Sequence, residues 1–134
     1  MNFKNISFLL MLLSVSFFSC SNSVENSITF ENNALGDMLV NFRGSKVDVP
    51  SGSSVTLSDI DKGEFLYETI YELPPGTTGS SLEGEGAGTF IMKAGTKVLV
   101  IYTSTFLSGT YTVYVSVTSS DDQTEDEDPN PIGP

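Results

Sequence analysis

Apolar and polar positions divide this chain into three regimes. Residues 6–18 form an almost unbroken apolar run, interrupted only by Ser7, Ser14 and Ser16. Residues 27–118 carry short apolar stretches that alternate with polar positions and are separated by turn residues roughly every ten positions, the spacing of short strands. Residues 119–134 hold almost nothing apolar.

The middle regime reads as strands. Over 110–118, Tyr111, Val113, Val115 and Val117 fall on one side. Thr110, Thr112, Tyr114, Ser116 and Thr118 fall on the other. Period-two alternation of this kind predicts a sheet with one buried and one wet face. Residues 97–103 are nearly all apolar, which predicts a strand covered on both faces. Residues 27–30, 54–58 and 89–92 predict further strands, and 59–63 a turn. Residues 80–88 are rich in Gly and Ser and predict a loop or a weak edge.

Two segments carry more specific expectations. Residues 38–43 and 46–49 flank Gly44-Ser45, a pair suited to a type II′ hairpin turn. That loop would set Phe42 opposite Val47 and Val40 opposite Val49, with all four on one face and Met38 extending it. It would also set Arg43 opposite Lys46. Residues 64–73 fit two patterns. As a strand they place Phe65, Tyr67, Thr69 and Tyr71 on one face, and Glu64, Leu66, Glu68, Ile70 and Glu72 on the other. As a helix they align Leu66, Ile70 and Leu73. Aromatic and β-branched residues dominate, and ten residues make a short helix, so composition favours the strand. Seven or eight short strands and no helix predict an all-β fold, a small antiparallel β-sandwich of immunoglobulin-like architecture.

Composition narrows the function classes. The 134 residues include 17 acidic and 6 basic side chains, no His, no Trp and one Cys, for a net charge of −11. A chain this acidic repels a phosphate backbone, so no nucleic-acid partner is expected. The commonest metal ligand and general base is missing, and the single thiol can close no intrachain disulfide.

The N-terminal run assigns that thiol a role. Lys4 precedes the apolar stretch, which is shorter than the about 20 residues a membrane-spanning helix needs. Ser19 and Cys20 follow, and Ser21, Asn22, Ser23 and Glu25 turn the chain polar at once. An export signal ending in Phe17-Phe18-Ser19-Cys20 resembles that of the bacterial lipoproteins. The resemblance covers the first 20–25 residues. It implies a signal peptide over 1–19, cleaved before Cys20, with lipid attachment at the Cys20 thiol and acylation of the new amine. It further implies localisation in the bacterial cell envelope, in the outer membrane on its periplasmic side or at the cell surface. The alternative is an ordinary secretory signal with an incidental Cys. On the lipoprotein reading, 20–26 is a short linker, 27–118 the β-sandwich domain, and 119–134 an acidic, Pro-containing disordered tail.

Candidate chemistry in the body is sparse. Glu64, Glu68 and Glu72 share a strand face, but neighbours would stand about 13 Å apart at ~3.3 Å per residue, beyond the spacing of paired glycosidase carboxylates. Asp59-x-Asp61-x-Gly63-Glu64 begins like a calcium loop, yet lacks the EF-hand Gly at the sixth position and Glu at the twelfth. The 84–88 segment holds part of a G-x-G-x-x-G pattern, with Thr89 where the last Gly belongs and Glu residues that would repel a pyrophosphate. Tyr114, on a face of Thr and Ser, is a candidate aromatic for a sugar or peptide, although a single outward Tyr is more often an ordinary sheet-surface residue. These readings predict no catalytic residues, no cofactor and no metal. The expected function is a non-catalytic binding or structural module held on the membrane by acyl chains, with a protein or glycan ligand. The alternatives are a hydrolase using paired carboxylates and a calcium-stabilised surface adhesion module.

Overall fold

The computed structural model describes residues 25–121. Cys20, the expected signal segment over 1–19 and residues 122–134 lie outside them. The described chain forms nine strands: β1 Asn26–Asn32, β2 Met38–Phe42, β3 Ser45–Val49, β4 Ser54–Ile60, β5 Gly63–Tyr71, β6 Gly79–Gly84, β7 Ala87–Met92, β8 Thr96–Leu107 and β9 Thr110–Asp121. They make a five-stranded sheet, β4-β1-β8-β9-β6, packed on a four-stranded sheet, β3-β2-β5-β7. The expected all-β sandwich is therefore present. Most pairings are antiparallel, but β1 lies parallel to β8, and β6 parallel to β9.

Alternation along the strands builds the core. β1 buries Ile28 and Phe30, β8 buries Val98, Val100 and Tyr102, and β9 buries Tyr111, Val113 and Val115. Against them β2 and β5 contribute Met38, Val40, Phe42, Tyr67 and Thr69. Segment 64–73 is a strand through Tyr71, with the two faces its alternation predicts. The rings of Tyr67 and Phe90 stack at 3.9 Å between centroids, and Phe90 also packs on Phe30 and Phe42.

Several local expectations change. Residues 97–103 are not covered on both faces: Leu99 and Ile101 stay half-buried on the outer side. The apolar run instead reflects the central place of β8 in its sheet, where neighbouring strands shield its outward side chains. The strand also continues to Leu107, four residues past its apolar run. β4 continues to Ile60, which is buried, so the turn expected over 59–63 shrinks to 61–62. Asn26, at the edge of the expected linker, opens β1, and residues 119–121 belong to β9 rather than to the tail.

The first hairpin turns one residue earlier than expected. Phe42 pairs with Ser45, Val40 with Val47, and Met38 with Val49. Arg43 and Gly44 occupy the loop with φ of 53° and 76°, the signature of a type I′ turn. The inward residues are unchanged, because the shift is an even number of positions. The physical gain is electrostatic. Arg43 no longer faces Lys46, which pairs with Asn41. The Arg43 guanidinium lies over the rings of Phe42 and Phe65, at 4.9 Å and 5.2 Å from their centroids.

Of the two expectations for the Gly-rich stretch, loop or weak edge, the structure shows the edge: β6 and β7 are edge strands of the two sheets. β6 runs down the upper edge of β9, and the chain then crosses at 85–86 into the other sheet, where β7 runs down the lower edge of β5. Two glycines permit the switch. A Cβ on Gly84, whose φ is 90°, would collide with the Val115 carbonyl oxygen. A Cβ on Gly86 would overlap the Leu82 side chain. Glu85 completes the crossing: its backbone N–H donates to the Val115 carbonyl, and its carboxylate accepts from the Val117 N–H at 3.1 Å.

The registers assign the loops to two ends. The first residue of β1 and the last of β9 share one end with the loops at 43–44, 61–62 and 93–95. The loops at 33–37, 50–53, 72–78 and 108–109 form the opposite, distal end.

Candidate functional site

Asn32 organises the distal end. It is fully buried at the end of β1 and satisfies every arm of its side chain. Its Nδ2 donates to the carbonyls of Gly36 at 3.0 Å and Val49 at 2.8 Å, and its Oδ1 accepts from the Ala34 N–H at 2.9 Å. Asp37 Oδ1 accepts from the Ser51 N–H at 2.8 Å, joining 33–37 to 50–53. The Leu35 N–H donates to Ser104 Oγ, and the Gly36 N–H to the Tyr111 hydroxyl. Loop 33–37 is thus clamped onto β8 and β9, and so holds Leu35 outward.

The same end is apolar at its surface. Leu35 is 63% exposed, Leu107 72%, Leu73 53% and Phe106 37%. Beneath them Tyr111 packs against Tyr71 and Phe106, with ring centroids at 6.0 Å and 6.3 Å. The hairpin of β8 and β9 overshoots β1, which ends opposite Tyr102. The Tyr102 carbonyl accepts from the Asn33 N–H, so its backbone faces the β1 flank. By strand alternation, Ser104 and Phe106 turn their backbone groups to that flank too. Among the described residues no strand lies beside them there. The distal end thus joins an apolar surface to a short open strand edge, the combination used to recruit an extended peptide.

A recess of about 370 Å³ opens next to this end, on the outer side of the four-stranded sheet, lined among others by Asp37, Leu39, Asp48, Ile70 and Glu72. Its walls are part apolar and part carboxylate. Among the described residues, no three His, Cys, Asp or Glu side chains are grouped to hold a metal ion.

The residues singled out from sequence are dispersed. Glu64 and Glu68 stand exposed on the outer face of β5, and Glu72 lies beyond its end. Asp59 lies within β4 and Asp61 in the link after it, both exposed at the end with the termini. Tyr114 is outward on β9, 40% exposed, opposite Thr103 and Glu83. The hydroxyls of that outer face bond partly to one another, as Thr29 does with Thr56 at 3.0 Å and Ser81 with Thr112 at 3.2 Å. Of the phenols, Tyr102 is pushed up to about 12, chiefly by burial, against the lowering effect of its hydrogen bond with Thr69. Burial, with Glu85 nearby, also raises Tyr67. Both are interior groups, and Tyr67 donates to the Glu85 carbonyl at 2.8 Å.

Sequence reasoning missed the distal residues. Leu35, Leu73, Phe106 and Leu107 come from two loops and a strand end. Their available signal was large apolar side chains beside turns, at Phe106-Leu107-Ser108-Gly109 above all. No protein-family model matches this chain, and a search of curated proteins finds no match to it either.

Proposed function

We propose that this chain is a lipid-anchored protein of the bacterial cell envelope whose non-catalytic β-sandwich binds a protein partner at its distal end. One observation carries the reading. β1 begins and β9 ends at one end of the sandwich, and Leu35, Leu73, Phe106 and Leu107 with the open strand edge lie at the other, apart from Leu66, Ile70 and Ile91, which are exposed on the outer face of the four-stranded sheet. A tether at Cys20, six residues before Asn26, would hold the first end near the bilayer and present the second away from it. Multiple acyl chains on one residue make such a tether stable, since each buried CH₂ adds about 0.8 kcal/mol. A protein partner fits better than a glycan. The distal end offers aliphatic side chains and unpaired strand backbone, which recognise an extended peptide.

Two measurements test the two halves of the reading. Intact mass of membrane-extracted protein is expected to show diacylglycerol on Cys20, and Cys20→Ala to abolish processing or release the protein. Soluble, unmodified protein beginning elsewhere would refute the anchor. For the docking end, a photo-crosslinking residue at position 107 is expected to give one discrete adduct in the native envelope, lost on Leu35→Glu. The same residue at position 56 is expected to give none. An adduct at 56 alone, or at neither position, would refute distal docking.

A further inference from the structure

The outer face of the four-stranded sheet holds large aliphatic side chains in solvent. Strand alternation turns Leu39 of β2, Leu66 and Ile70 of β5, and Ile91 of β7 to that face. Leu66, at 75%, is the most exposed large apolar side chain among the described residues. The registers gather the four into two pairs. Leu39 lies directly opposite Ile70. Leu66 lies opposite Thr89, which makes Ile91 its diagonal neighbour. Along β5 the pairs stand four residues apart, or about 13 Å at ~3.3 Å per residue, with Glu68 midway.

Each pair borders a hollow. The recess of about 370 Å³ has Leu39 and Ile70 in its lining. A second recess, of about 410 Å³, is lined among others by Asn41, Leu66, Glu68, Ala87 and Gly88. Ala87 and Gly88 bring little side chain to β7, which leaves this hollow beside Leu66.

The charge around the aliphatics is one-sided. Asp48, Glu64 and Glu68 project from the same face, and Asp37 and Glu72 border it at the distal end. Lys46 is the only base that these strands turn outward among the described residues. That sign selects the occupant. A second copy would set the three carboxylates against the same three, with one base apiece to offset them. An anionic bilayer would meet the same repulsion. A cationic partner is attracted instead, and its apolar side chains can cover Leu66 and Ile91. In layered folds an open sheet face is covered by a helix, whereas extended peptides add to a strand edge.

We propose that the outer face of the four-stranded sheet is a second docking surface, which takes a basic amphipathic helix of a partner protein along β5. At ~1.5 Å per residue, aliphatic side chains at i and i+8 stand about 12 Å apart and meet the two pairs, while Lys or Arg at i+4 meets Glu68. The inference depends on neither the distal edge nor the lipid anchor.

A chain of residues 22–134 contains every described residue, and its amide spectrum reports where a peptide lands. The probe is an amphipathic Leu–Lys helix of about 18 residues, or ~27 Å, with its Leu–Glu counterpart as control. The Leu–Lys probe is expected to shift the amides of residues 39–41, 64–70 and 87–91, and the Leu–Glu probe to shift none of them. Leu66→Ser with Ile91→Ser is expected to weaken that binding about tenfold or more at an unchanged melting temperature, since both side chains already stand in solvent. Glu64→Lys with Glu68→Lys is expected to reverse the preference between the probes. Shifts confined to residues 122–134 or to the distal loops, full affinity in the serine variant, or no reversal in the lysine variant would each overturn the proposal. So would shifts at residues 66 and 91 that grow with protein concentration alone, which would assign the face to a second copy. Binding to phosphatidylglycerol vesicles that Leu66→Ser abolishes would overturn it in favour of a lipid surface.

Discussion

Two buried polar residues bear more of the structure than their number suggests. Asn32 supplies three hydrogen bonds to backbone groups, two of them buried and one part-buried. Asn32→Ala would strand two carbonyls and one N–H, so a loss of about 2–4 kcal/mol is expected, read as a lower urea midpoint with unchanged slope. Tyr102 is fully buried with its hydroxyl 3.0 Å from Thr69 Oγ1. Tyr102→Phe leaves Thr69 alone in the core and should cost about 1–2 kcal/mol. It should also alter the alkaline limb of stability. The folded-state value of Tyr102 is raised to about 12 from an ordinary 10.0, so only the unfolded chain releases this proton between them. Its contribution is complete below pH 10 and is lost as pH rises toward 12. Denaturation followed across that window should fall less steeply in Tyr102→Phe; an identical slope would show that Tyr102 titrates normally in the fold.

At the level of elements, the strand switch at 85–86 is the informative feature. β6 and β7 are two halves of one descending path, each guarding half of an edge that would otherwise lie open. Gly86→Val would drive a branched side chain into Leu82, and Gly84→Val would meet the Val115 carbonyl in a backbone region unsuited to it. Each is expected to destabilise by more than about 1 kcal/mol, with early loss of amide-exchange protection in β6 and in residues 110–115 of β9, with which it pairs. Unchanged protection there would mean that the crossing is dispensable. The first hairpin teaches a related point. Its inward face was legible from alternation alone, since parity survives a two-position shift. The turn itself was not, because pairing with β5 and the avoided Arg43–Lys46 repulsion choose among turns of similar quality.

On the scale of the whole molecule, sheet order places the start of β1 and the end of β9 at one pole and Leu35, Leu73, Phe106 and Leu107 at the other. Leu107→Ser is expected to leave stability within about 0.5 kcal/mol, since the side chain projects into solvent, while removing the contact proposed for a partner. A melting temperature equal to the parent's alongside lost crosslinking would separate docking from folding. The topology also sets kinetics. β1 reaches across to β8 near the other end of the sequence, and such distant pairings slow folding, so refolding in milliseconds to seconds is expected by stopped flow. A microsecond phase that completes refolding would contradict this.

Most of the strands were readable from the sequence, because period-two alternation reports directly which side chains face the core. That is why the faces of β5 and β9 and the all-β class follow from the pattern of residues alone. The lone Cys, the apolar run before it and the charge imbalance are likewise local facts. The distal end is of another kind. Leu35, Leu73 and Phe106 are far apart along the chain, and only strand order and register collect them. The same holds for Lys62, Lys93 and Arg43, which alternation cannot place at one pole. Side-chain period is a property of consecutive residues, whereas the choice of neighbouring strand depends on contacts between segments separated by tens of residues. The elements and their faces therefore belong to the sequence, and the two poles of the molecule belong to the tertiary structure.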